Sequence, residues 1–249
     1  MKTKLRMKNS SNCNQLGSPS EARTSKLLTV QEMEERFGLV IKPHKIRDID
    51  LKFIEIEQPD KLVREHYAQE LLGSGDAPTW PVSWPAAYGL AEYVALQLDV
   101  TGKSMLELGC GTAITGVVAE RAGADFVLAT DRDCLALVLA RHNAKINKCK
   151  HFRTEYLDWF RPGINSSFQY VLGSDVVYLE STYDALLETA RRALVPGGLL
   201  LLSDPGRKQM DDLLLLARSK GWNTTSRKIV VHLHEASYSV RINELTLLG

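Results

Sequence analysis

Four aspartates in this 249-residue chain follow short apolar runs: Asp131 after FVLAT, Asp158 after EYL, Asp175 after FQYVLGS and Asp204 after LLLLS. A carboxylate at a strand tip is suited to accept hydrogen bonds from a sugar hydroxyl or an amine. The first of them follows a glycine turn. Lys103–Gly116 reads KSMLELGCGTAITG: an apolar run broken by Glu107, then Gly109 and Gly111, then a helix-like stretch. Strand, glycine turn and helix open a nucleotide-binding βαβ unit. A side chain in the turn would keep a ligand off the backbone, and the turn itself calls for positive φ. The helix N-terminus adds free N–H groups and partial positive charge. Asp131 comes about 20 residues later, the spacing at which an acid accepts bonds from two ribose hydroxyls. The competing role for Asp131 is N-cap of a helix over Cys134–Lys145.

The type of nucleotide follows from the same turn. A dinucleotide fingerprint, G-x-G-x-x-G/A, would place a small residue where Ile114 stands, which disfavours a nicotinamide oxidoreductase. Glu107-Leu-Gly109-Cys-Gly111-Thr-Ala113 instead resembles the acid-x-Gly-x-Gly-x-Gly signature of class I S-adenosylmethionine methyltransferases, with Ala113 in place of the third glycine. An alanine there implies a backbone at negative φ. The resemblance implies that Glu107, Gly109 and Gly111 belong to the cofactor site and that Asp131 holds the ribose. Downstream, Leu157-Asp158-Trp159 resembles a segment of methyltransferase family sixteen that lies beside the adenine. A carboxylate accepts the exocyclic amine there and an indole packs on the ring. Asp175-Val-Val-Tyr178 resembles the acid-x-x-aromatic motif that faces the methyl acceptor in that family. Trp84-Pro85-Ala86 resembles its cofactor-approaching lead-in. Asp204-Pro205-Gly206-Arg207 looks most like the branch that methylates lysines of the electron transfer flavoprotein β-subunit, and puts Asp204 and Arg207 on the acceptor rim. Each has a plainer alternative. Trp159 reads equally as a core aromatic, Trp84 and Trp80 as staples on the next helix, and Asp-Pro-Gly as a turn.

These residues need a scaffold. Candidate strands at 105–108, 126–130, 151–155, 168–174 and 199–202 alternate with helices Ala86–Leu98, Ala113 onward, Cys134–Lys145, Tyr183–Leu194 and Lys208–Lys220. This is an α/β, doubly wound pattern. Runs Thr225–His232 and Tyr238–Leu247, with a turn at His234–Ser237, read as a closing antiparallel pair. The resemblance implies a Rossmann-like, seven-stranded sheet in order 3-2-1-4-5-7-6, with the last strand antiparallel. Before it, a small α+β annex is expected over residues 27–78. It comprises a helix Val30–Phe37 capped by Thr29, two strands joined near Pro43–Arg47 and a helix over Asp60–Leu72. The methyltransferase domain then occupies residues 79–249.

Composition bounds the remainder. A hydrophobic fraction of 44%, a charged fraction of 24% and a net charge of +1 fit one substantial core with no global field for nucleic acid or membrane. Four cysteines without C-x-x-C spacing suggest neither disulfides nor zinc, and fit a reducing, cytoplasmic setting. Residues 1–26 are basic and rich in Ser, Asn and Thr. They read as a disordered tail, or as a mitochondrial or plastid transit peptide. His232 and His234 share a strand face but have no further ligand nearby, so no metal is expected. No Asp/Asn-Pro-Pro-Tyr type of motif follows the fourth strand, which argues against DNA, and nothing basic and aromatic beyond the tail supports RNA.

The expected activity is S-adenosylmethionine-dependent N-methylation of a protein lysine, by a chain expected to be monomeric. The alternatives are a small-molecule acceptor, or a non-catalytic module that keeps the fold. A lysine of pKa about 10.4 has to be deprotonated before it can attack. Asp175 is the candidate to orient the amine and Tyr178 the wall beside it.

Overall fold

The computed structural model describes residues 27–46, 48–73, 77–165, 167–233 and 235–247. The tail reading over residues 1–26 and the His234 half of the histidine pair lie outside these. Nine strands are found among them. Two form a hairpin, β1 (Leu39–Ile46) and β2 (Ile49–Ile56), and seven form the main sheet. The seven are β3 (Ser104–Leu108), β4 (Phe126–Asp131), β5 (Phe152–Tyr156), β6 (Phe168–Ser174), β7 (Leu194–Asp204), β8 (Trp222–Leu233) and β9 (Ala236–Leu247). Their order is β5-β4-β3-β6-β7-β9-β8, with β9 antiparallel to both of its neighbours. This is the expected doubly wound order. The chain steps outward from β3 through β4 to β5, then returns to the other side of β3 as β6. The reversal opens a crevice beyond the carboxyl ends of β3, β4 and β6.

Both faces of the sheet are covered, so its central strands are apolar on both sides. On β3, Met105 packs with Leu90 and Val94 of α4 (Pro85–Gln97) and Val117 and Val118 of α5 (Ile114–Arg121). Leu106 and Leu108 point the other way. They pack in the cluster of α7 (Tyr183–Ala193) and α8 (Lys208–Ser219), through Leu186, Leu187, Leu213 and Leu214. The period of two along β3 thus puts Glu107 on the α5 face. Strand β7 starts at Leu194 rather than Leu199, because Pro196-Gly197-Gly198 is absorbed into it beside an irregular register with β6 between Phe168 and Tyr170.

The N-terminal elements lean on α6 (Cys134–Ile146). Helix α1 (Val30–Phe37) begins with a full capping box between Thr29 and Glu32. Within the expected Pro43–Arg47 stretch, β1 runs on to Ile46, with Pro43 paired to Lys52 inside the hairpin. Proline is tolerated there because β1 is an edge strand. The single helix expected over Asp60–Leu72 is split into α2 (Pro59–His66) and α3 (Ala68–Gly73) at Tyr67, whose phenol turns inward to donate to Asp133 at 2.8 Å. Met33, Phe37, Ile54 and Leu62 share one cluster with Leu135 and Leu139 of α6. The free edge of β2 is met by side chains: Asn143 Oδ1 accepts from the Ile54 N–H (2.7 Å), and Asn147 Oδ1 from the Lys52 N–H (2.9 Å).

Candidate functional site

A cavity opens in the crevice, and most of the sequence-derived residues meet in it. Gly109, Gly111, Asp131, Asp158, Trp159, Asp175, Tyr178 and Trp84 all line it. Gly109 (φ 60°) and Gly111 (φ 52°) hold left-handed backbone. A Cβ on Gly109 would sit 2.9 Å from Val176 and 3.5 Å from the Trp159 ring, so this position has no room for a side chain.

The turn corrects two expectations. Ala113 does not keep negative φ. It sits at φ 59°, ψ 43° as the N-cap residue of α5, its N–H donating to Cys110 O at 2.7 Å to close the turn. A left-handed alanine costs roughly 1–2 kcal/mol, carried here by that bond and by complete burial of its methyl group. Glu107 is not in the cavity wall. It is 1% exposed on the α5 side of the sheet, where Oε2 accepts from the Gly116 N–H at 3.0 Å. Glu107 braces the helix behind the turn through that bond.

Burial raises the Glu107 carboxyl to about 8, against which the Gly116 bond pulls only part of the way back. Near pH 7 the folded chain therefore holds a proton that the unfolded chain, with a carboxyl near 4.3, has released. Between those two values the folded state binds more protons, so this group's contribution to stability falls as pH rises. Glu107→Gln, neutral throughout, should gain on the wild type by on the order of 4 kcal/mol between pH 5 and pH 8.5. Denaturant midpoints of both proteins across that range measure it. Parallel curves would mean that Glu107 is ionised in the fold.

Asp131 closes the far side of the turn. Oδ2 accepts from the Gly111 N–H and Oδ1 from the Asp133 N–H, each at 2.9 Å. The helix cap is Asp133, whose Oδ1 accepts from the Leu135 N–H at 2.9 Å, so Asp131 remains aimed at the cavity. Burial first, then the charge of Asp133, push the Asp131 carboxyl up to about 6. Asp158 Oδ1 accepts from the Phe160 N–H (3.0 Å) at the end of β5. Trp159 packs, partly buried, against the cluster of α7 and α8 and lines the cavity beside Gly109. Trp84 is the N-cap residue of α4. Its indole donates to Thr79 O at 3.0 Å, and it stays partly exposed at the cavity mouth.

Asp175 has φ 51°, and its N–H donates to Ser203 O at 2.8 Å. Its two oxygens accept from Nε and Nη2 of Arg207, both at 2.9 Å. Tyr178 stands beside it, partly exposed. The expected rim divides. Arg207 is present through Asp175, but Asp204 is 1% exposed and lies beneath the rim. Its carboxylate is consumed by the N–H groups of Gly206 and Arg207 and by Arg241. The turn alternative is the correct one for Asp204, because an Asp-Pro-Gly turn at this strand end needs an acceptor for those two amides.

Three contributors lie outside the motifs, Trp80 among them having been expected as a staple. Trp80 donates to Tyr67 Oη at 3.0 Å, which donates in turn to Asp133. Asn143 Nδ2 donates to Thr112 O in the glycine turn at 2.9 Å. Arg241 reaches Asp204 from β9. Asn143 and Asn147, buried amides at the end of an apolar helix, could also have been marked in advance; Arg241 could not. Among the described residues no group of three His, Cys, Asp or Glu is arranged to hold a metal.

The sheet order, the glycine turn and the acid after the second strand define a class I methyltransferase fold, and solved structures of low identity share it. Ribosomal protein L11 methylase from Lactobacillus delbrueckii subsp. bulgaricus matches with TM-score 0.54 and 15% identity over 68% of this chain and 81% of that one. M. jannaschii TYW2, solved in complex with AdoMet, matches with TM-score 0.51 and 14% identity over 84% and 87%. The particular family follows from the sequence: the chain belongs to the lysine methyltransferase family, which matches residues 79–215. Its relatives include Protein N-lysine methyltransferase METTL21A of Xenopus tropicalis, 35% identical over 52% of this chain and 62% of that protein. EEF1A lysine methyltransferase 3 of Mus musculus is 33% identical over 51% and 56%. The electron transfer flavoprotein beta subunit lysine methyltransferase of Danio rerio is 30% identical over 54% and 53%. The matched segment thus spans between half and two thirds of the length of these relatives.

Proposed function

We propose that the chain is an S-adenosylmethionine-dependent protein-lysine N-methyltransferase. The observation that carries this is one cavity with two distinct ends. At one end are the left-handed glycines, Asp131, Asp158 and Trp159; at the other are Asp175 and Tyr178. The residues fit the cofactor. Gly109 and Gly111 leave room for its amino-acid part, Asp131 would take the ribose hydroxyls, and Asp158 and Trp159 would take the adenine amine and ring face. When bound, S-adenosylmethionine supplies a methyl group whose bond to sulfur breaks, with the electron pair left on sulfur, as the acceptor nitrogen forms the new C–N bond. The chain's own part is positioning. Its residues hold the acceptor lone pair in line and keep water out, which is where most of the acceleration of such a displacement originates. Asp175 accepts an N–H of the amine and Tyr178 walls its path.

A macromolecular acceptor is supported by the mouth of the cavity, where Val82, Trp84, Phe160 and Tyr178 leave apolar surface exposed. A lysate incubated with the protein and tritium-methyl cofactor should yield a labelled protein band whose label is released as methyl-lysine on hydrolysis. A labelled metabolite alone would make the acceptor a small molecule. Cofactor binding without any label would leave a binding module.

A further inference from the structure

Attack on a methyl group needs a neutral amine, yet a bare carboxylate beside a lysine stabilises its ammonium form and raises its pKa by about 1–3 units. Asp175 alone would therefore orient the acceptor and disarm it at once. The structure does not leave it alone. Resting on the lysine reading above, we propose that Arg207 is a positioning residue that cancels the charge of Asp175, so that Asp175 holds the acceptor as an amine and not as an ion pair.

The pairing is built into the fold. Arg207 meets Asp175 with two bonds, Nε to Oδ1 and Nη2 to Oδ2, the bidentate pairing that guanidinium and carboxylate favour. Each carboxylate oxygen keeps a second lone pair for an N–H donor. Both backbones are pinned. Asp175 is tied to Ser203 through its N–H. Arg207 is held by its own N–H on Asp204 Oδ2 (2.6 Å) and by Arg241 Nη2 on its carbonyl (2.9 Å). Arg241 is anchored in turn by Asp204 and Asp211. The Asp175 side chain is 6% exposed and that of Arg207 39%, so the pair lies at the boundary where an acceptor arrives from solvent.

The other ionisable groups around the cavity are disposed elsewhere. Asp131, Arg132 and Asp133 stand at the end of β4, Asp158 at the end of β5, and Tyr178 follows β6. Cys110 in the turn is held neutral by burial. Behind Arg207, Asp204 is matched by Arg241, and Asp211 also meets Arg241. Asp131 and Asp133 are already engaged with backbone amides on the cofactor side. Arg207 is thus the cation placed to set the charge felt at Asp175.

The test is the pH dependence of tritium-methyl transfer from saturating cofactor to the labelled lysate protein, using the full chain, Arg207→Gln and Arg207→Lys. Calorimetric cofactor affinity should match the wild type in both variants. In Arg207→Gln the rising limb of rate against pH should move upward by about one unit. Activity should fall by about tenfold near pH 7 and return to near the wild-type value at the alkaline plateau. Arg207→Lys, with the charge but not the fork, should lie between. Should the Gln variant lose cofactor affinity, Arg207→Met, which also removes the charge, carries the test, and an unmoved limb there overturns the proposal. Equal loss at every pH, or an unchanged profile, would reduce Arg207 to a prop for its loop. If the wild type labels no protein at any pH, the lysine reading itself falls; if it labels protein and the limb stays put, only the role of Arg207 does.

Discussion

Asp131→Ala is expected to weaken cofactor binding by about a hundredfold or more, from the loss of two charge-assisted hydrogen bonds at about 1.5 kcal/mol or more each. The substitution also releases the Gly111 N–H, so the glycine turn loses its tie to β4. The same carboxylate sets a pH dependence. With Asp131 raised to about 6 in the free protein, protonation below that pH removes the acceptor, and affinity should fall by about tenfold per unit below it. Above it the affinity should be level. Asp131→Asn should bind weakly with no such slope. Titration calorimetry between pH 5 and pH 8 measures all three proteins. Unchanged heats in the alanine variant would remove Asp131 from the ribose.

The second large effect is at Asp175. Asparagine tolerates its left-handed backbone, whereas alanine adds strain, so Asp175→Asn is the cleaner variant. It should keep cofactor affinity and lower the transfer rate by at least about tenfold, the low end for one positioned catalytic group. Single-turnover transfer to the labelled lysate protein distinguishes this from a binding defect. Full activity would exclude Asp175 from the reaction. Taken with Asp131, the two variants divide the cavity into a binding end and a reacting end.

The residues that organise this cavity were legible because each lies within a few positions of a strand end. Backbone pattern alone told strand from turn there. Gly109, Gly111, Asp131, Asp158 and Asp175 are of this kind. Glu107 shows the limit of motif reading. Its position in the signature is right, but its direction depends on the period of two along β3, which sends it behind the turn. Asp204 failed for a related reason. A carboxylate at a strand tip serves a ligand or the turn that follows, and here two successive amides and an arginine from β9 claim it. That arginine is distant in sequence, and no local pattern announces it. Ala113 failed because propensity against left-handed alanine is weaker than the demand of a turn closed by the Cys110 carbonyl. The annex was legible as elements but not as contacts, because Tyr67, Asn143 and Asn147 act across the seam with α6.

That seam has a mechanical consequence. Helix α6 is 13 residues long, a rod of about 20 Å. Tyr67 clasps its N-cap, Asp133, and β2 clasps its far end through Asn143 and Asn147. The floor of the cavity hangs from the same rod, by Asp131 at one end and Thr112 near the other. Whatever presses on the hairpin therefore presses, through a stiff strut, on the seat proposed for the cofactor.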